Sequence, residues 1–558
     1  MTTLDWLIVV SINGAIVAYG LYLARDTRTT SDWFLAARSL PWWIVGLSLF
    51  ATAIDSSDYV AILGGAYQYG VSNLAMWWLG LPIGWFLVTF VILIPVYRTG
   101  MFTNAEYLEY RFGPTARLLS ALIQLQYRTN VLGNVAFALF LTFAAVTGLG
   151  REKTWALVVA IAMSAAIYTA LGGLKAVAVT DAIQSVFMIA GAGILWLVVW
   201  VDVGGWSGLE ARLAARDPQL VEKLMHVGGR TTEGVPAALM VFGWVVAATA
   251  YAVVNQSQAM RMLAARSIWD LRTAALFASA VTVIVMGFNI TLGVLGHGVF
   301  PDLESGDALY PMLLQRYLGP GLLGLVLAGL LAGALSTYDS IGSALAAVLT
   351  RDVYARFLVR TGDDRHYLRV SRILTVCVIL ISFGYVPFLG EGMISFYLRL
   401  TSVAVIPLFM VYVMGTLTRV HRRSGAVGLV AGIGYGLSSL LGERFGWPLP
   451  PVWTNGWWAY VWSIAVTSGA MLAVTAFLGW EPRERIGALL YSGSRTALRP
   501  EAVPELSATS GTWLDATRRD ASSLAVEETT ERPWYARSGL WALLFMLVVA
   551  YLNLVLLW

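Results

Sequence analysis

The sequence predicts an all-α polytopic membrane protein with about fourteen transmembrane helices. Of its 558 residues, 58% are hydrophobic and only 13% are charged, and the mean hydropathy is +0.70. A soluble core could not hide that much apolar surface, so lipid must be the solvent for most of it. Windows of about 20 apolar residues, the length that spans the hydrocarbon layer as a helix, recur along the whole chain.

The predicted spans follow one another with short polar gaps between them. The first lies near residues 5–24 and is expected to be retained, because the residues before it lack the basic segment of a cleavable signal. The others lie near 41–70, 74–97, 118–148, 154–170, 181–201, 237–258, 273–298, 321–349, 370–388, 392–417, 425–441, 457–479 and 538–557.

Two longer polar stretches interrupt these spans. Residues 204–236 are expected to form an external loop with a short amphipathic helix from Leu209 to Met225. Residues 481–536, which contain many Ser, Thr, Pro and Glu residues, are expected to form a cytoplasmic loop that is part helix and part disordered.

Arginines near the span ends indicate the orientation in the membrane. They include Arg98, Arg117, Arg261, Arg351 and Arg419. If the chain crosses the membrane fourteen times, all of these arginines lie on the same side of it. Basic residues near span ends are retained on the cytoplasmic side. The pattern therefore predicts a multi-pass protein of the cytoplasmic (inner) membrane with both termini outside.

Composition also excludes several functional classes. The net charge of +4 reflects loop topology, and nucleic-acid binding would need a basic face on a soluble domain. Cys377 is the single cysteine, so neither a disulfide within the chain nor a thiolate metal site is possible. The four histidines show no ligand spacing and no nucleophile–base set is apparent, so we expect no enzymatic activity.

Four polar residues, Asp55, Ser56, Ser57 and Asp58, lie in the middle of the second span. A charge at membrane depth costs several kcal/mol unless it is paired, solvated or bound to an ion. The pattern indicates a broken helix, whose freed backbone groups can replace part of the hydration shell of a cation or hold a polar solute. The alternative is that both aspartates lie in a water-exposed loop between shorter helices.

The ninth span carries Ser336, Thr337, Asp339 and Ser340 on consecutive turns. Their hydroxyl and carboxylate oxygens suit a hard cation, and Gly333 one turn earlier gives close access to its own carbonyl. Alternatively, the hydroxyls bond back to the carbonyl four residues earlier and help helices pack.

In the sixth span, Asp181 follows Thr180 after the glycines Gly172 and Gly173, which we expect to make a tight inner turn. Asp181 is a candidate ion ligand, but capping a helix amino terminus is the commonest role of an aspartate at such a position. The sequence leaves both interpretations open.

Over about residues 30–480 the sequence resembles the sodium:solute symporters, a family that includes sodium/glucose and sodium/proline transporters. Four segments in family-like order carry the resemblance: LPWWIVGLSLFATAI, YTALGGLKAVAVTDAIQ, NQSQAMRMLAARS and the Ser336–Thr337 pair followed by TRDVY. The final helix after a long cytoplasmic loop is similar to the sodium/glucose branch in particular.

The resemblance implies a LeuT-like fold of two inverted five-helix repeats, each beginning with a broken helix. The expected units are an extra N-terminal helix in 1–30, the first repeat in 31–203, the external loop in 204–236, the second repeat in 237–418, two additional helices in 419–480, the cytoplasmic loop in 481–536 and a last helix in 537–558.

The resemblance also implies ion-binding residues. The sodium site shared by the family would consist here of Ala51 and Ile54 from the first core helix and Gly333, Ser336 and Thr337 from the eighth.

A second sodium site, present in some relatives, would be built from Asp181, Ser336, Asp339 and Ser340. Asp339 stands where those relatives have serine. An aspartate there would strengthen cation attraction, but it is also compatible with proton coupling or a structural ion pair.

The expected solute-binding residues are Asp55, Asp58, Arg128, Asn255 and Thr282. The amide of Asn255 can donate to and accept from hydroxyl groups. Arg128 lies near the position of a carboxylate-binding arginine in sialic-acid carriers, or pairs with Asp55 or Asp58. Arg399 is another candidate partner for these aspartates.

The expected activity is therefore sodium-driven symport of a small polar organic solute by alternating access, with Na+ as the coupled ion, lipid as the surroundings and a monomer as the functional unit. A sugar or polyol is the first candidate solute, and an amino acid, amine or carboxylate is the alternative. A solute sensor with a transporter-like fold is an alternative of a different class, and would be expected to carry a long soluble output domain.

Overall fold

The protein is built of helices throughout the residues that the computed structural model describes, which are 1–27, 29–229, 235–391, 393–492, 513, 514, 517 and 533–556. Within them, eleven helices are long and apolar enough to cross a membrane. This confirms the all-α polytopic fold. Trp42–Ala53 and Ser538–Leu554 are apolar but shorter, so the count of fourteen spans stays a prediction.

The helices are numbered here in chain order. The first half contains α1 (Thr3–Leu23), α2 (Thr30–Leu35), α3 (Trp42–Ala53), α4 (Leu63–Tyr69), α5 (Leu81–Leu87), α6 (Leu93–Arg98), α7 (Asn104–Phe112), α8 (Pro114–Thr147), α9 (Arg151–Val203), α10 (Gly205–Arg216) and α11 (Gln219–Met225). The second half contains α12 (Ala237–Val254), α13 (Gln256–Leu263), α14 (Ile268–Val299), α15 (Leu309–Tyr317), α16 (Leu322–Val348), α17 (Asp364–Ser382), α18 (Met393–Leu400), α19 (Ile406–Leu417), α20 (Ser424–Phe445), α21 (Pro451–Thr454), α22 (Trp458–Leu478), α23 (Arg483–Ile486) and α24 (Ser538–Tyr551).

Shorter turns join or extend these helices. Wider π-helical turns lie at Asp58–Ile62, Ala75–Gly80, Val88–Ile92, Leu349–Leu358, Thr401–Val405 and Leu552–Leu556. Tighter 3-10 turns lie at Ala24–Asp26, Ala36–Arg38, Gly70–Asn73, Gly306–Ala308, Phe383–Glu391, Gly487–Leu489 and Trp534–Ala536.

Two spans are broken inside the bundle. α3 ends at Ala53, and Ile54 takes extended angles of φ −122° and ψ 126° before the chain becomes helical again. α12 and α13 are separated by Asn255, with φ −69° and ψ 105°. These are the helices expected to begin the two repeats, so the expectation of a broken first helix is confirmed in both. The boundaries given above for the repeats stay predictions.

The long helix α9 is divided at Gly173, which has φ 64° and ψ −175°. A Cβ at this position would lie 2.8 Å from Cα of Trp33, so both the backbone angles and the space require glycine. The tight turn expected here is present. Asp181 lies eight residues further along the second half of α9 and does not cap its amino terminus.

α16 is the central helix of the bundle. Every residue from Val326 to Val348 is buried, and the helix packs against α1, α3, α8, α9 and α17. A polar group on α16 is therefore shielded from lipid and must find its partners inside the protein.

The first helix holds the beginning of α16 in place. Oδ1 of Asp5 accepts hydrogen bonds from the backbone N–H groups of Gly321 and Gly324, at 2.8 and 3.0 Å. Nδ2 of Asn13 donates to the carbonyl of Ala328 at 3.3 Å. α1 is thus joined to the central helix at its end and along its side.

The segment predicted as an external loop differs from the expectation in one respect. The single amphipathic helix expected from Leu209 to Met225 is two helices, α10 and α11, because the chain is extended at Asp217, with φ −159° and ψ 113°. Residues 230–234 of this loop lie outside the described residues.

Most of the predicted cytoplasmic loop, and with it the expected disorder, lies outside the described residues. Trp513 is described, and its ring stacks on Tyr367 with centroids 4.1 Å apart while its Nε1 donates to Asp364 at 2.9 Å. Thr517 accepts a hydrogen bond from Arg351 at 3.0 Å. This part of the loop therefore packs against the end of the span that contains α16 and against the start of α17.

A buried ionic cluster joins α7, α8 and the π-helical turn Leu349–Leu358. Arg117 contacts Glu109 at 2.5 Å and Asp352 at 2.6 Å, and Arg356 contacts Glu109 at 2.6 Å. Arg117 is one of the arginines that indicated the orientation, and it is buried rather than exposed in a loop. The orientation itself stays a prediction.

Candidate functional site

The break after α3 leaves one backbone carbonyl open to a neighbouring helix. In a continuous helix the N–H of Asp55 would bind the carbonyl of Ala51. Here that N–H donates instead to Oδ2 of Asp58 at 2.8 Å. The carbonyl of Ala51 accepts from Oγ of Ser336 on α16 at 3.0 Å, which joins the broken helix to the central one.

The residues predicted for the first sodium site meet at this contact. Ser336 binds Ala51 directly, and a Cβ on Gly333 would lie 3.5 Å from Cα of Asp55. Thr337 is buried, and its Oγ1 has no hydrogen-bond partner in the part of the chain that the structure describes. Ile54 is the buried residue at the break itself. Carbonyl and hydroxyl oxygens gathered around an unpaired hydroxyl are the ligand types that a hard cation prefers.

The residues predicted for a second sodium site form another buried cluster. Asp181 accepts from Oγ of Ser336 at 2.6 Å and from Oγ of Ser48 at 2.5 Å. Asp339 accepts from Oγ of Ser340 at 3.0 Å and from the hydroxyl of Tyr168. Ser336 therefore contacts both predicted sites.

A guanidinium lies within this second cluster. Nη2 of Arg261 is 2.9 Å from Oδ2 of Asp181 and 3.9 Å from Oδ1 of Asp339, and it also donates to Ser340. Arg261, Asp181 and Asp339 are all fully buried. A second sodium ion would have to share these carboxylates with Arg261, and the second site stays a prediction.

Sequence reasoning missed Arg261 as a site residue, because an arginine near the end of a span was counted as a cytoplasmic charge. One signal was present: Ser257 and Arg261 are four residues apart on the short helix after Asn255, so they share a face that follows directly on a break. The structure shows Arg261 donating through Nη1 to the carbonyl of Ser257 at 2.9 Å.

A central cavity lies beside the first break. It is lined by Ala53, Asp55, Ser57, Asp58, Ala61, Ile62, Met76, Trp77, Leu81, Val131, Asn134, Ala248, Tyr251, Met393 and Tyr397. These residues come from α3, α5, α8, α12, α18, the break after α3 and the π-helical turns Asp58–Ile62 and Ala75–Gly80. A concave site that combines apolar and polar side chains from several helices suits a small molecule.

Two of the five predicted solute-binding residues, Asp55 and Asp58, line the central cavity. Asn255 does not line the cavity. Its Oδ1 instead caps α13, where it accepts hydrogen bonds from the N–H and the hydroxyl of Ser257 at 3.0 and 2.6 Å. Thr282 is buried within α14 and is not part of the cavity wall. The sequence did not single out Asn134, Tyr251 and Tyr397 as wall residues, since nothing in a single sequence shows which faces of distant helices meet.

Arg128 also lies outside the wall of the central cavity. Its Nη2 donates to Oγ of Ser257 at 3.3 Å, and its guanidinium is 5.3 Å from the ring centroid of Tyr251. Among the described residues, no ion pair within 4.0 Å joins Arg128 to Asp55 or Asp58. Arg399 is exposed on α18. Arg128 therefore acts on Asp55 and Asp58 electrostatically and without a direct ion pair, and the pairing considered for Arg399 stays a prediction.

Comparison with known proteins gives a consistent result. The model of the sodium:solute symporter family matches residues 33–432. Sodium/glucose cotransporter 4 of Homo sapiens is 28% identical over 479 residues, which cover 78% of this chain and 68% of that protein. The sodium/glucose cotransporter of Vibrio parahaemolyticus is 26% identical over 456 residues, covering 76% and 82%. The sodium/mannose cotransporter of Bos taurus is 27% identical over 498 residues, covering 81% of each.

Among solved structures, the outward-open state of a Na+-coupled sialic acid symporter superposes with a TM-score of 0.74. The match covers 86% of this chain and 99% of that one at 20% identity. At this level of identity the likeness shows the fold alone.

Proposed function

The chain belongs to the sodium:solute symporter family, and we propose that it couples sodium entry to the movement of a small, polar, sugar-like solute by alternating access. The observation that carries the proposal is the contact between Ser336 and the carbonyl of Ala51 at the break after α3. Sodium and solute are both cargo in this scheme, and no covalent step is needed.

We place sodium at the five residues of the first cluster. The carbonyls of Ala51, Ile54 and Gly333 and the hydroxyls of Ser336 and Thr337 supply five oxygens from two helices. Ser336 already bridges those helices, and the buried hydroxyl of Thr337 has no other partner among the described residues. An ion bound here would hold the broken helix against α16 and lower the cost of ordering the break.

The solute belongs in the central cavity, one residue away from the ion. Ile54 is a proposed sodium ligand, and Asp55 lines the cavity. When one ligand orders the segment Ile54–Asp55, the backbone has less conformational entropy left to lose when the second ligand binds. The two sites are therefore positively coupled. The coupling free energy is reciprocal, so the solute should raise sodium affinity by the same factor.

Relatives named as sodium/glucose and sodium/mannose cotransporters support a sugar-like solute. The wall of the central cavity agrees with this class, since it combines acceptor oxygens from Asp55, Asp58 and Asn134 with the rings of Trp77 and Tyr251. We further propose that the functional unit is a monomer in the cytoplasmic membrane with both termini outside, and that the chain has no enzymatic activity.

Uptake by the full-length protein in proteoliposomes tests this function. An inward sodium gradient should drive accumulation of a sugar-like solute, whereas an equal potassium gradient should not. A solute sensor would bind its ligand without accumulating it. Binding without gradient-driven uptake across a broad solute panel would therefore replace the symporter proposal with the sensor.

A further inference from the structure

The wall of the central cavity carries two carboxylates and no cation. Asp55 and Asp58 both line the cavity. The hydrogen bonds they accept come from the break itself: Asp55 accepts from the N–H of Ser57 at 2.7 Å, and Asp58 accepts from the N–H of Asp55 at 2.8 Å. These bonds fix the orientation of the carboxylates, but none of them comes from a charged group.

Arg128 attracts both carboxylates at a distance, but it forms no ion pair within 4.0 Å with either of them. Arg128 lies behind the wall, with its guanidinium 5.3 Å from the ring centroid of Tyr251 and 5.7 Å from that of Tyr127. No Lys or Arg in the described part of the chain contributes to the cavity wall. Two negative charges at membrane depth are costly unless a ligand of opposite charge pairs with them.

The aromatic residues that line the central cavity suit the same ligand. Trp77, which is only 4% exposed, lines the cavity, and its Nε1 has no hydrogen-bond partner among the described residues. Tyr251 and Tyr397 add two further rings. Aromatic faces attract cations, and most strongly where water is excluded. Met76, Leu81 and Val131 complete an apolar border that leaves the two carboxylates as the main polar feature.

We propose that the solute carries a protonated amine on a polar, hydroxylated skeleton, as in an amino sugar or amino polyol, and that Asp55 and Asp58 bind the ammonium group. A neutral sugar would donate hydroxyl hydrogens to these carboxylates but would bring no cation into direct contact with them. The inference rests on the proposed function, in that the central cavity is taken as the transport site.

Paired solutes that differ only in the amine test this assignment. The full-length protein is titrated in sodium with glucosamine against glucose, 1-amino-1-deoxysorbitol against sorbitol and serinol against glycerol, with binding followed by thermal shift and by uptake. N-acetylglucosamine is the comparison solute with a neutral amide in place of the amine, and gluconate is the comparison solute with a negative charge. We expect at least one amine to bind roughly tenfold or more tightly than its neutral partner.

Replacing one carboxylate connects this preference to the cavity. Asp58→Asn should weaken amine binding roughly tenfold and reduce the preference over the neutral partner, since it removes one of the two charges. Asp302→Asn is the matched control, because Asp302 is a carboxylate whose side chain is 82% exposed and which does not line the cavity. This control should retain the preference.

The outcomes separate the two proposals. Sodium-driven uptake of neutral solutes as good as that of their amine partners, or preferential uptake of gluconate, would overturn the amine assignment and leave the symporter intact. An amine preference that survives Asp58→Asn would overturn the role of the carboxylates. Failure of the sodium gradient to drive any solute would contradict the proposed function itself.

Discussion

The guanidinium of Arg261 and the carboxylate of Asp181 meet inside the helical bundle, with Nη2 2.9 Å from Oδ2 and both side chains fully buried. The two residues are 80 positions apart in the chain, on α13 and α9. The same guanidinium approaches Asp339 on α16 at 3.9 Å. One arginine therefore connects three helices around the predicted ion sites.

Removing this arginine should destabilise the protein strongly. Arg261→Gln leaves Asp181 as a buried charge without a cation, which typically costs about 3–5 kcal/mol. Thermal unfolding of the purified protein measures the loss. Arg216→Gln is the control, since Arg216 and its partner Asp302 are 38% and 82% exposed. Its expected effect is below about 1 kcal/mol. Equal effects of the two substitutions would show that the buried pair adds no stability.

The sodium assignment predicts a specific effect of Ser336→Ala. Loss of one ligand oxygen should raise the sodium concentration for half-maximal uptake by about tenfold, which corresponds to about 1.4 kcal/mol. Sodium titration of solute uptake in proteoliposomes measures this change. Ser343→Ala is the matched control, because Ser343 is buried on the same helix and, within the described part of the chain, its hydroxyl bonds only to the carbonyl of Ser340 at 3.3 Å. An unchanged sodium titration in Ser336→Ala would remove this hydroxyl from the ion site.

The ionic cluster around Glu109 predicts a loss of stability in acid. Burial by itself would raise the pKa of Glu109, but Arg117 and Arg356 outweigh it and hold the pKa below its ordinary value of 4.5. The resulting stability is present above that ordinary value and is lost as the pH falls through the pKa of the folded state. Unfolding measured at several pH values should show the stabilities of wild type and Glu109→Gln converging as the pH falls below 4.5. Glu152→Gln, at an exposed position, should show no such convergence.

A close backbone contact predicts the effect of Gly64→Ala. A Cβ on Gly64 would lie 2.7 Å from the backbone carbon of Gly306, so α4 and the turn Gly306–Ala308 must separate to admit it. We expect a loss of about 1–3 kcal/mol in the free energy of unfolding. Gly434→Ala on α20 is the control, since nothing lies within 4 Å of its added carbon. This control should be neutral or stabilising by up to about 1 kcal/mol, and a similar loss in both variants would contradict the steric explanation.

Local features of this fold were readable from the sequence where a residue conflicts with its surroundings. Asp55 and Asp58 in an apolar span predicted a break, and Gly173 predicted a turn that only glycine permits. Pairings between distant helices were not readable. Arg117 and Arg261 were counted as cytoplasmic charges because a hydropathy window treats a basic residue near a span end as solvated, whereas the structure buries each against carboxylates.

Polar residues with two uses were also ambiguous in the sequence. The amide of Asn255 is chemically suited to a sugar hydroxyl, and equally suited to capping the helix that starts after a break. The backbone angles at Asn255 place its Oδ1 on the N–H of Ser257, so the capping role is the one observed. Only the three-dimensional position distinguishes the two uses.

The hydrogen bonds that Gly321 and Gly324 donate to Asp5 join α1 to the beginning of α16. Any tilt of the central helix during the cycle must be transmitted to α1, which also presents Leu7 and Val10 to lipid, 59% and 63% exposed. A spectroscopic probe attached at Leu7 or Val10 would lie on the lipid-facing surface of α1 and move together with α16. It would report the movement of the ion-site helix without altering a single residue that contacts cargo.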